Sequence, residues 1–95
     1  GSLGVQVAEV DVDARAGVAR ALGRWERAIR RGYESMRARG VFDDRADTSA
    51  LAMSTLAALQ GGLLMAQIQR STTPLEASLD AVVRHAELLA AQSVV

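Results

Sequence analysis

Between Asp47 and Arg70 the chain carries no charged side chain. The run is built mainly of Leu, Ala, Met and Gly, and its polar members are Thr48, Ser49, Ser54, Thr55, Gln60, Gln67 and Gln69. Asp47 is a good N-cap residue, and the composition beyond it has high helix propensity, so a helix is expected over about 48–70. A helix that is apolar almost all round has to be covered almost all round. In a single domain of 95 residues the core is small, so the chain's own helices are expected to cover only part of this surface.

A lipid bilayer is one possible cover, since about 20 apolar residues span it. Three glutamines, the adjacent Gly61 and Gly62, and the lack of a basic cluster beyond the run argue instead for a helix buried in protein. Each glycine inside a helix costs about 1 kcal/mol relative to Ala, which a close approach of another helix or a ligand would offset. Ala58, Gly62 and Ala66 recur four apart and mark a stripe where such an approach is expected.

Two further helices flank this one. Asp11 and Asp13 are candidate caps, no proline intervenes before Gly40, and Val18, Leu22, Trp25, Ile29, Tyr33 and Met36 fall at three- and four-residue intervals. That pattern predicts an amphipathic helix over about 12–39, with Gly40 as the residue that ends it. Downstream, Thr73-Pro74-Leu75-Glu76 reads as a helix start with Thr73 as cap, Pro74 in the first position and Glu76 closing a capping box. Leu75, Leu79, Val82, Ala86 and Leu89 then continue a helix over about 74–92, widened by Val83 and Ala90. Residues 70–73 are too few for anything but a tight turn, so the last two helices form an antiparallel pair. Residues 41–47 read as a turn-rich connection, and residues 3–10, LGVQVAEV, as a short strand or the tail of an upstream helix. The fold class is all-α, in one domain spanning 1–95.

Formal net charge is zero, which removes a global attraction to nucleic acid or anionic lipid. The first helix is nevertheless basic: Arg15, Arg20, Arg24, Arg27, Arg30, Arg31, Arg37 and Arg39 stand against Glu26 and Glu34. These arginines surround the apolar stripe and read as a solvated face, because Trp25 and Tyr33 lie on the stripe and not among them. With no Cys and His85 as the single His, thiolate metal sites and disulfides are excluded, and no metal or cofactor is expected. No nucleophile–base arrangement surrounds His85, and Gly61-Gly62 lies in a helix, not in a phosphate-binding loop. A non-enzyme is expected. The alternative reading is a small helical enzyme of chorismate-mutase type, in which arginines inside a bundle clamp a dicarboxylate; here they flank the apolar stripe and do not interrupt it. No basic region followed by an apolar stretch opens the chain, so the cytoplasm is the expected location.

The order of these pieces resembles the C-terminal half of TetR-type transcriptional regulators. LGVQVAEV is followed by GRWERAIRRG on a helix, ADTSALA in a loop, and LAALQGGLLMAQIQRSTTPLEASLDAVVRH at the end. The resemblance implies a homodimer in which the helices over 48–70 and 74–92 pair with their copies as a four-helix bundle. Ala58, Gly62, Leu63, Ala66, Leu75, Leu79, Val82, Val83 and Ala86 are the expected contact residues. It further implies a pocket for a small apolar effector, with Trp25, Ile29, Tyr33, Met36, Met53, Leu56 and Gln60 as its expected lining. On the same resemblance the DNA-binding helix-turn-helix lies outside these residues, which by themselves are not expected to bind DNA. A purely structural dimerisation module is a second alternative.

Overall fold

The computed structural model describes residues 12–93. They form three helices, α1 (Val12–Ala38), α2 (Thr48–Gln69) and α3 (Thr73–Ser93), and the described residues contain no strand. The expected boundaries agree to within a residue at each end. The segment at residues 3–10 lies outside the described residues.

Helix α2 is the shared platform: α1 and α3 both pack on it and, among the described residues, not on each other. The result is an elongated arrangement of about 51 × 29 × 19 Å. Its core is small, comprising Leu51, Ala52 and Leu56 on α2 and Phe42 from the α1–α2 connection, with Thr48 buried beside them. No residue of α1 is fully buried. The C-terminal part of its stripe, Ile29, Tyr33 and Met36, is half-buried, whereas Val18 and Trp25 further up are exposed. Arg30 pairs with Glu26 and Glu34, one turn away on either side, at 3.7 and 3.3 Å.

The connection between α1 and α2 is more ordered than its turn-rich composition suggests. Gly40 takes a positive φ of 84°, and its N–H reaches the Arg37 carbonyl while that of Val41 reaches Met36. This paired closure caps the last carbonyls of α1 and needs the left-handed backbone that glycine tolerates. It turns the chain so that Phe42, 2% exposed, enters the core. The Arg45 backbone N–H and then its guanidinium bond the Asp43 carboxylate at 2.8 and 3.1 Å, which holds its pKa below the ordinary value. Arg37 donates to the Ala46 carbonyl at 2.9 Å, tying the connection back to α1.

Asp47 caps α2 as expected: its carboxylate accepts the Ala50 N–H at 3.0 Å. At the other end Arg70 takes the left-handed conformation, φ 51° and ψ 49°, and both its N–H and that of Ser71 reach the Ala66 carbonyl. The start of α3 differs from the expected capping box. Glu76 N–H bonds the Thr72 carbonyl, and Thr73 is already helical with its N–H on Ser71 Oγ. The cap is therefore Thr72, and Pro74 lies one position deeper, still within the first turn where a missing N–H costs nothing.

Gly62 is where α2 and α3 meet most closely. A Cβ built there would collide with Ser78 Oγ and lie 3.1 Å from Leu75 Cα. The neighbouring Gly61 has open space where its side chain would be. Gly62 thus accounts for the close approach foreseen in the sequence, but the helix that approaches belongs to the same chain. Because Leu75 Cα is backbone and cannot swing away, Gly62→Ala is expected to destabilise the fold by about 1–3 kcal/mol. Gly32→Ala, on α1 with nothing near its would-be Cβ, is expected to stabilise by about 1 kcal/mol. Urea unfolding monitored by circular dichroism measures both.

Candidate functional site

The site is organised by which side of α1 a residue faces. On one side, α1 and α3 diverge above α2 and leave a groove of about 450 Å³. Ile29, Tyr33 and Met36 form its α1 wall, Val82, Val83, Ala86 and Ala90 its α3 wall, and Val41 and Phe42 its end. On the other side, α1 and α2 enclose a cleft of about 480 Å³ lined by Ala19, Leu22, Gly23, Glu26, Met53, Leu56, Ala57 and Gln60. The surfaces of both are overwhelmingly apolar.

The expected effector pocket is therefore divided. Ile29, Tyr33 and Met36 lie in the groove, whereas Met53, Leu56 and Gln60 lie in the cleft. Trp25 lines neither and is 50% exposed. The stripe runs the length of α1, and the cleft takes its wall from residues 19–26 while the groove takes its wall from residues 29–36.

Tyr33 is fixed in place. Thr55 Oγ1 donates to the Leu51 carbonyl at 2.7 Å, so the 2.7 Å bond between Tyr33 Oη and Thr55 Oγ1 takes its proton from Tyr33. The ring also lies tilted against Phe42, with centroids 6.1 Å apart. Phe42, absent from the expected site residues, is among the described residues the one core side chain that also lines the groove. Its signal in the sequence was an apolar pair placed directly after a helix-ending glycine, where such residues fold back on the last turn.

Of the residues expected at a dimer contact, Leu63 and Leu79 are exposed and Ala66 is half-buried, and the others fall in three places. Gly62 is buried against Leu75 and Ser78 of its own chain. Val82, Val83 and Ala86 line the groove that faces α1. Ala58 borders a hollow between α2 and α3, with Ser54, Ala81 and His85, whose lining also includes Tyr33 and Val82 of the groove. That same side of α2 carries the exposed run Ser54, Gly61, Met65 and Ile68, with Ile68 73% exposed. On α3 the exposed Ala77, Ala81 and Leu88 continue it. By length and composition α2 is also apolar enough to cross a bilayer. Among the described residues no group of His, Asp or Glu is arranged to hold a metal.

A three-helix chain with a charge-free middle helix, a capped antiparallel final helix and apolar hollows beside the first can be compared with known families. The C-terminal domain of LmrA/YxaF-like transcriptional regulators, a TetR C-terminal family, matches residues 1–81. The chain belongs to this family. Curated proteins and solved structures give no match. Membership in this TetR family bears out the resemblance drawn from GRWERAIRRG and LAALQGGLLMAQIQRSTTPLEASLDAVVRH, and makes the chain a regulator's C-terminal domain.

In this TetR-type domain the groove depends on Phe42. Phe42→Ala is expected to cost about 3 kcal/mol or more by leaving a cavity at the end of α1. Tyr33→Phe, which leaves Thr55 bonded to Leu51, is expected to cost about 1 kcal/mol. Denaturant midpoints of the two variants, read against the parent chain, check the order.

Proposed function

We propose that the chain is the dimerisation and effector-sensing domain of a TetR-type transcriptional repressor, acting in the cytoplasm through a separate DNA-binding domain. The observation that carries this reading is the uncovered apolar side of the α2–α3 pair. Only Thr48, Leu51, Ala52, Leu56 and Gly62 of α2 are buried within the chain. Ser54, Ala58, Gly61, Met65 and Ile68 repeat at alternating three- and four-residue intervals along one face of α2, and Ala77, Ala81 and Leu88 are exposed on α3. Such spacing is that of a helix seam, and its small residues let a facing helix come close.

A second copy brings the same four helix faces together as a bundle about a two-fold axis, and an isologous contact of this kind closes on itself. This assignment shifts the interface expected from the sequence. The seam runs through Gly61 in place of Gly62, because the Gly62 side is occupied by α3. Of the expected contact residues Ala58 stays at the seam; Val82, Val83 and Ala86 line the groove that faces α1. Leu75 supports the α2–α3 pairing against Gly62, while Leu63 and Leu79 are exposed and Ala66 is half-buried. A protein partner suits this face better than lipid, since Ser54 lies within it and Arg84 and His85 are exposed along the same helix of the pair.

Effector sensing is assigned to the apolar hollows beside α1. A small molecule that fits only one placement of α1 on α2 shifts the population toward that placement by its difference in affinity. Since α1 lacks any fully buried residue, its placement on α2 is open to such a bias. No catalytic role is assigned.

The expected behaviour is a dimer of the parent chain in sedimentation velocity at micromolar concentration. Met65→Glu combined with Ala81→Glu, on the proposed seam, is expected to give folded monomer. Val83→Glu, on the α1 side of α3, is expected to remain dimeric. A dimer unaffected by the first pair and broken by Val83→Glu would reject this seam.

A further inference from the structure

Three hydroxyls inside the helices bond their own backbone. Ser54 bonds the Ala50 carbonyl, Thr55 that of Leu51 and Ser78 that of Leu75. Gln60 differs: among the described residues its Nε2 is the one buried side-chain nitrogen or oxygen without a hydrogen-bond partner. A buried amide donor left unpaired is costly, and such groups in native proteins usually meet water, an ion or a ligand.

Gln60 lines the cleft between α1 and α2, whose walls include Leu22, Met53, Leu56 and Ala57. Glu26 lines the same cleft, and its side chain is only 13% exposed. Its contact to Arg30 is long, 3.7 Å. The cleft therefore offers apolar walls, an amide N–H with nothing to donate to, and a largely covered carboxylate. A hydrocarbon would leave the amide unpaired. A carboxylate ligand would bring a second negative charge beside Glu26. A hydroxyl is the smallest group that answers both, accepting from an amide and donating to a carboxylate.

We infer that the α1–α2 cleft binds a small apolar molecule bearing a hydroxyl group, an alcohol or a phenol. Its oxygen accepts from Gln60 Nε2 and its proton is directed to the Glu26 carboxylate. This rests on the effector-sensing reading and deepens it. It assigns the ligand to the cleft and leaves the groove against α3 as a packing feature. Gln60 is then a selectivity residue whose apo state is unfavourable and whose bound state is not. A polar side chain in that position rejects ligands that lack the matching group more strongly than an apolar wall could.

The test uses three probes of matching size, 2-naphthol, 2-methylnaphthalene and 2-naphthoate, titrated calorimetrically into the full chain. The expected result is that 2-naphthol binds at least about tenfold more tightly than either of the others. Gln60→Met, which keeps length and helix propensity, is expected to abolish that preference while raising the thermal midpoint of the free protein. Ala57→Phe, which fills the cleft from an exposed position, is expected to abolish binding. Absence of 2-naphthol binding, equal affinity for 2-methylnaphthalene, or a preference that survives Gln60→Met would overturn the inference. Binding that survives Ala57→Phe but is lost in Gly32→Leu, which fills the groove against α3, would also overturn it while leaving the effector-sensing reading intact. The dimer seam is read out separately by sedimentation.

Discussion

The close crossing of α3 over α2 at Gly62 governs what the rest of the molecule can do. With Leu75 Cα 3.1 Å from where a side chain would begin, α3 lies on α2 at a separation that no larger residue would permit. That crossing takes up one side of a helix with no charge on any side. Helix α1, guided by the closure at Gly40 and anchored through Phe42 and Tyr33, takes up a second. Among the described residues, the side carrying Ser54, Gly61, Met65 and Ile68 is left uncovered. Small domains often resolve such a shortage of core by oligomerising.

The architecture was largely legible in the sequence because its signals are local. Asp47, Gly40 and the proline at 74 mark helix ends by backbone chemistry that acts within a few residues, and the structure places each at an end. The shift of the α3 cap from Thr73 to Thr72 is a competition between neighbouring hydroxyl residues, which sequence alone does not resolve. The site was less legible. Apolar periodicity gives a stripe but not the position of the neighbour within it, so residues read as one pocket divide between two hollows on either side of α1. The same ambiguity moved the glycine signal: two adjacent glycines face directions about 100° apart, and nothing local distinguishes the one meeting α3 from the one left open. Phe42 lies in a connection whose composition announces turns, and its burial follows from a backbone closure visible only in three dimensions.

The arrangement also suggests how sensing and assembly share one element. Gln60 faces the cleft and Gly61, the next residue, the proposed seam, so a ligand that changes how α1 rests on α2 acts on a helix that also carries the partner contact. Coupling of this type requires that the ligand distinguish two placements of the helices, and its size is bounded by that difference in affinity. The thin core suits such a role, since elements with few buried contacts are the ones whose positions small free energies can shift.

The central claim is that the free side of α2 faces its own copy. The chain contains no cysteine, so single cysteines report on this without background. Oxidative cross-linking of Gly61→Cys, Met65→Cys and Arg31→Cys, each alone at low micromolar concentration, is the most direct measurement. The account predicts rapid covalent dimer from Gly61→Cys and Met65→Cys and none from Arg31→Cys, on the outer face of α1. Cross-linking through Arg31→Cys alone, or equally slow reaction at all three positions, would contradict it.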